Sequence, residues 1–165
     1  LIGRHINKID TKGRVSVPKP FREALSISGL KKRLPARTFS GIYVFRSFKY
    51  RAIEGCGEEF IQRVVDSLDD LELFSDVQDD LAITLLENTY QLTCDTEGRV
   101  LFPPELIEYA SLSNEAMFVG RGSRFQVWQP DAYKSHNSKV FKRVGTQGAT
   151  LSLKNIKGFK QGNDK

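Results

Sequence analysis

Apolar and polar residues alternate in short runs near the start of the chain. In Arg14-Val15-Ser16-Val17, Val15 and Val17 fall on one face of an extended strand, Arg14 and Ser16 on the other. Residues 4–9 and 14–17 are predicted as strands around the turn Asp10-Thr11-Lys12-Gly13. Asp at the first turn position accepts hydrogen bonds from following N–H groups, and Gly at the fourth tolerates positive φ. That combination favours a type I turn followed by a bulge. Pro18 and Pro20 end the strand and lead into a short helix, Phe21 to Leu25. A second strand pair is predicted at 36–39 and 42–46, with Gly41 as the turn. Beyond it Phe60, Ile61, Val64, Val65, Leu68 and Leu71 recur at helical spacing. Those positions suit a core or subunit contact better than a cofactor box.

The same order of elements then returns. Asp10-Thr-Lys-Gly-Arg-Val-Ser-Val-Pro18 reads against Asp95-Thr-Glu-Gly-Arg-Val-Leu-Phe-Pro103 at an offset of 85, sharing Asp, Thr, Gly, Arg, Val and Pro. Glu108 keeps step with Glu23. Further on, Val127-Trp128 answers Val44-Phe45 and Tyr133 answers Tyr50, at an offset of 83. The second copy is predicted to hold a helix from Leu106 to Ala110, strands at 116–119 and 124–128 with Gly120 and Gly122 at their turn, and a last helix starting near Pro130-Asp131. Two copies thus fill residues 2–75 and 76–143. Residues 144–165 form a basic tail without period, expected to be mobile. A unit of this size has a marginal core by itself, and two in one chain can share a core about a pseudo-twofold axis. Duplication also presents one surface loop twice, which suits a repetitive ligand better than a small substrate.

Charge sharpens the picture. The net charge of +5 is distributed as +11 over residues 1–51, −9 over 52–80, −4 over 81–133 and +7 over 134–165. A basic surface set apart from an acidic one attracts polyanions such as nucleic acid, in a salt-dependent way. The alternatives are a solvated basic face, or pairing of the two blocks between subunits. No apolar run approaches the length of a membrane helix, so a spanning protein is not expected. Cys56 and Cys94 have no partner spacing, which points to a reducing cytosol. His5 and His136 are too isolated for a metal site.

The chemistry centres on the turns. Arg14 and Arg99 should leave the core side directly after each turn. A guanidinium fork suits phosphate and the O6/N7 edge of guanine. Asp10 and Asp95, four residues earlier, lie across the hairpin and can orient it. Asp and Gly can equally be read as turn builders, with Arg merely paired to Asp. The first turn is the more cationic. Arg4, Lys8, Lys12 and Arg14 lie on or beside it, whereas Glu97 replaces Lys12 in the second. Lys31, Lys32, Arg33 and Arg37 make another basic run, read as a solvated loop or a phosphate contact. No His accompanies Cys56, and Gly120-Arg-Gly122-Ser-Arg124 lacks the Lys-Ser/Thr of a phosphate loop. Enzyme activity is therefore not expected, nor a cofactor, metal or small-molecule substrate.

The doubled motif, with Phe21-Arg22-Glu23, Leu106, Val119-Gly120 and Phe125-Gln-Val-Trp128, resembles the MraZ family of bacterial transcriptional regulators. The resemblance covers residues 2–143. It implies an α+β, mostly β fold of two AbrB-like swapped-hairpin barrel repeats about a pseudo-twofold axis, and ring-like homo-oligomers. It also implies binding of double-stranded DNA at short G-rich direct repeats in the promoter of the division and cell-wall gene cluster that begins with the family's own gene. Asp10, Arg14, Asp95 and Arg99 match its motif. The expected DNA-binding residues are Arg14, Lys12, Lys8, Arg4 and Arg99, with Asp10, Gly13, Asp95 and Gly98 shaping the motif. The expected location is cytoplasmic and nucleoid-associated. A non-catalytic oligomeric adaptor and an RNA-binding protein are the alternatives.

Overall fold

The computed structural model describes residues 1–25 and 40–147. Eight strands and five α-helices alternate along them. They are β1 (Arg4–Lys8), β2 (Arg14–Ser16), α1 (Lys19–Ala24), β3 (Gly41–Arg46), β4 (Ile53–Cys56), α2 (Glu58–Asp69) and α3 (Asp76–Ala82), then β5 (Tyr90–Thr93), β6 (Arg99–Leu101), α4 (Pro104–Tyr109), β7 (Glu115–Gly120), β8 (Arg124–Trp128) and α5 (Pro130–Gln147). A π-helical segment, Ile83–Glu87, continues α3. Leu1–Pro130 is one compact unit and Asp131 onward a second, whose described residues, 131–147, all belong to α5.

The first unit contains a six-stranded antiparallel sheet in the order β1-β7-β8-β4-β3-β5, and a two-stranded ribbon of β2 and β6. Pairing is exchanged between the sequence copies. β1 of the first pairs with β7 of the second, and β5 of the second with β3 of the first. A pseudo-twofold axis follows from the register. Val15 faces Val100 in the ribbon, and Glu54 faces Gln126 at the sheet's centre. The chain is thus a mixed α+β fold, mostly antiparallel β, built as a duplicated swapped hairpin.

The alternation read in the sequence drives this arrangement. Val15, Val17, Val100 and Phe102 are buried, whereas Leu101 on the opposite face is exposed. Pro18 and Pro103 stand directly before α1 and α4, each of which has Pro in its first turn and puts one large side chain, Phe21 or Leu106, into the core. Phe21 meets Phe125 at 5.6 Å and Phe118 at 6.5 Å between ring centroids. One core therefore joins both copies. Gly55 completes it, because a Cβ there would overlap the Phe125 ring.

On the sheet's other face the axis carries a polar cluster. Perfect symmetry would oppose two carboxylates at this point, a destabilising cross-strand pair. Instead, Gln126 Nε2 donates to Glu54 Oε1 at 2.7 Å, and Trp128 Nε1 donates to Gln126 Oε1 at 2.9 Å. Arg124 Nε donates to Glu54 Oε2 at 3.1 Å. Divergence between the copies lets a buried acid face an amide and keep its hydrogen bonds.

Several expectations are corrected. Gly41 opens β3 instead of forming a turn, and the strand foreseen at 36–39 lies outside the described residues. β3 forms its hairpin with β4, reached through 47–52, instead of with 36–39. Gly120 ends β7, and Gly122, at φ 77°, makes the turn to β8. Val44 is not the counterpart of Val127, because β3 occupies the place of β7 and β4 that of β8. α2 ends at Asp69, before Leu71, and α5 continues past Gly145 to Gln147. The rest of the tail lies outside the described residues.

Candidate nucleic-acid interface

Both turns have the same internal wiring. Asp10 Oδ1 accepts from the Lys12 and Arg14 backbone N–H groups, each at 2.9 Å, and Oδ2 accepts from Arg14 Nε at 2.6 Å. Asp95 repeats this with Glu97 N and Arg99 N at 2.9 Å and Arg99 Nε at 2.9 Å. Gly13 and Gly98 donate back to the Asp10 and Asp95 carbonyls at 3.0 Å, with φ of 88° and 77°. Those angles exclude most side chains at little cost to glycine. The Arg14 and Arg99 backbone bonds, followed by their guanidinium bonds, hold both carboxyls below their ordinary value. Each Asp therefore both closes its turn and fixes the Nε edge of its arginine.

The ribbon register brings the two arginines together. Arg14 lies opposite Leu101, and Arg99 opposite Ser16. On the ribbon's exposed face they are diagonal neighbours, with Cα atoms about 7–8 Å apart. Their side chains remain 40% and 35% exposed. The turns sit at opposite ends, since Gly13 O accepts from Phe102 N and Gly98 O from Val17 N. Four residues of strand separate them, about 14 Å. Across its two strands the ribbon measures only about 4.8 Å between backbones, and a B-DNA major groove of about 12 Å admits a ribbon of that kind.

The pseudo-symmetry is broken in charge. Arg99 Nη2 lies 3.1 Å from Glu97 Oε2, so two carboxylates engage its guanidinium. Among the described residues Arg14 is paired only with Asp10, and Lys12 occupies the place of Glu97. Lys8 lies on β1 two residues before Asp10, opposite Glu115 on β7. Arg4 is at the far end of β1, about 14 Å from Lys8, and does not join the cluster. Lys31, Lys32, Arg33 and Arg37 lie outside the described residues. Part of the remaining basic block is occupied by packing, since the Arg46 and Arg51 guanidinium groups sit 5.1 and 5.0 Å from the Tyr109 ring centroid.

The sequence reading missed Asn7, whose Nδ2 donates to Ser16 O at 2.6 Å and ties β1 to the ribbon. It also missed Arg22, whose guanidinium covers Gly98 of the other turn. The offset of 85 that aligns the turns was the available signal for Arg22, because it sets Arg22 against Ile107.

Fold and site define a class: a duplicated swapped-hairpin protein that displays two Asp-x-x-x-Arg turns on one ribbon. The family described as "MraZ protein, putative antitoxin-like" matches residues 85–149. The transcriptional regulator MraZ of Parvibaculum lavamentivorans is 44% identical over 143 residues, covering 86% of this chain and 83% of its own. The proteins of the same name from Pelagibacter ubique and Gluconacetobacter diazotrophicus are each 35% identical. The first alignment covers 88% of both chains and the second 84% of both. The chain belongs to the MraZ family.

Proposed function

We propose that the chain is a transcriptional regulator that binds double-stranded DNA through the exposed face of the β2–β6 ribbon. The observation that carries this reading is the pair of preorganised arginines on one ribbon, each held at Nε by its own aspartate. Arg14 is the principal base-reading residue, and Arg99 its weaker counterpart. Lys12 and Lys8 contribute phosphate attraction, and Arg4 acts only where DNA extends along β1. Gly13 and Gly98 shape the turns through their positive φ. The repeats 2–75 and 76–143 exchange hairpins within Leu1–Pro130, and the tail 144–165 adds general attraction to DNA.

The targets are short G-rich direct repeats in the promoter of a division and cell-wall gene cluster that includes its own gene. Ring-like homo-oligomers align several ribbons with those repeats, in the cytoplasm at the nucleoid. Assembly is supported by apolar surface left uncovered in one chain: the half-buried face of α2, and Leu73 and Phe74, 68% and 89% exposed. No catalytic step is assigned.

Titration of variants against the promoter duplex and a scrambled one tests this reading. Arg14→Ala should lower specific affinity by about 1–3 kcal/mol, the range of a bidentate guanine contact. Lys12→Ala should weaken both duplexes alike, and Arg99→Ala should cost less than Arg14→Ala. Wild-type affinity for Arg14→Ala, with its oligomer intact, would remove the ribbon as the reading surface. Stronger binding of folded RNA than of duplex would favour the RNA reading, and an intact oligomer that binds neither would favour the adaptor.

A further inference from the structure

Each turn is capped by a side chain from the other copy. The residue nearest a Cβ placed on Gly13 is Ile107, with Cδ1 at 3.1 Å, and on Gly98 it is Arg22. Gly13 and Gly98 are counterparts at the offset of 85, and so are Arg22 and Ile107. The cap is therefore one structural position filled twice, by an aliphatic side chain over the first turn and a guanidinium over the second. Arg22 Nε donates to Val17 O at 3.0 Å, which anchors the group against Gly98. Val17 itself donates its N–H to Gly98 O at 2.9 Å, so strand, turn and cap are locked together.

The difference follows the charge. The first turn carries Lys12 and Arg14 against Asp10, a sum of +1, and needs no further cation. The second carries Arg99 against Asp95 and Glu97, a sum of −1. Arg22 restores the second turn to neutrality. Arg22 is half-buried as a residue and makes no ion pair among the described residues.

We propose that Arg22 is a phosphate-binding residue of the second turn, supplied across the pseudo-dyad by the first copy. It gives that turn the cationic contact that Lys12 gives the first. The inference rests on the reading of the ribbon as a DNA-binding surface. It assigns to α1 a part in binding that its core-facing Phe21 does not suggest. The cap's shape is kept by isoleucine, as Ile107 shows, so shape and charge can be separated.

The test is binding of the full chain to a mixed-sequence duplex over a series of salt concentrations, with melting temperature and oligomer size recorded. Arg22→Ile should retain fold and assembly, lower low-salt affinity by roughly three- to tenfold, and reduce the slope of log K on log salt by about 0.9, the value of one phosphate contact. Arg22→Lys should keep the wild-type slope. Ile107→Arg should steepen it by about the same 0.9. Should Arg22→Ile fail to fold, Arg22→Gln removes the charge while keeping a donor for Val17 O, with the same reduction expected. A wild-type slope in a folded neutral variant would overturn the inference and leave the ribbon reading standing. Failure of the wild-type chain to bind duplex at any salt would overturn the ribbon reading itself, and this inference with it.

Discussion

Replacing Glu97 with lysine should make the second turn resemble the first. In the present chain Glu97 Oε2 lies 3.1 Å from Arg99 Nη2, on a side chain 67% exposed. Glu97→Lys removes that anionic partner and places an ammonium where Lys12 stands in the other copy. An exposed ion pair contributes little to folding, so Tm should move by no more than a few degrees. Binding should change more. If the new lysine contacts one phosphate, the slope of log K on log salt steepens by about 0.9, and by about 1.8 if the released Arg99 gains another. Between roughly 50 and 200 mM salt, the variant then loses about 3.5-fold more affinity than wild type for one contact, and about 12-fold more for two. Fluorescence anisotropy with a labelled duplex across that range measures the slope directly. An unchanged slope in a folded, assembled variant would show that the second turn does not approach the phosphates, and would refute the ranking of the turns by charge.

Gly55→Ala should lower stability by about 1–3 kcal/mol and Tm by roughly 3–10 °C, because its Cβ overlaps the Phe125 ring; a melt like wild type would place the ring elsewhere. Asp10 and Asp95 have carboxyls held below the ordinary 3.8, so the stability they lend their turns is complete above that value. It should be lost as pH falls through the lower folded values, with amide protection relative to the intrinsic exchange rate at Lys12, Arg14, Glu97 and Arg99 as the readout; protection already lost near neutral pH would count against this. Burial pushes the Cys56 thiol up to about 12 and the Cys94 thiol up to about 11. Alkylation of the native chain at neutral pH should be slow at both and slowest at Cys56, and faster labelling of Cys56 than of Cys94 would contradict its burial.

The turns were legible in the sequence because their chemistry is local. Asp at the first position and Gly at the fourth determine the backbone within five residues, and alternation after Arg14 and Arg99 determines which face each arginine takes. β4 was not legible. Ile53-Glu54-Gly55-Cys56 holds two residue types depleted in strands, and both are explained by distant partners, Gly55 by Phe125 and Glu54 by Gln126 and Arg124. The match of Val44-Phe45 to Val127-Trp128 failed for a related reason. Apolar dipeptides recur on any buried strand, and only cross-strand register distinguishes β3 from β8. Arg22 was visible as a residue but not as a cap, because its target turn lies 76 positions later and is brought near by hairpin exchange.

On the proposed function, the two Asp–Arg turns together read duplex DNA. A footprint of the purified chain on the DNA immediately upstream of its own gene tests it most directly, with Arg14→Ala run alongside. The wild-type chain should protect short, evenly spaced G-rich repeats, and the variant should lose that protection. An assembled wild-type protein that protects no repeat there, or an Arg14→Ala variant that protects the same repeats equally well, would contradict it.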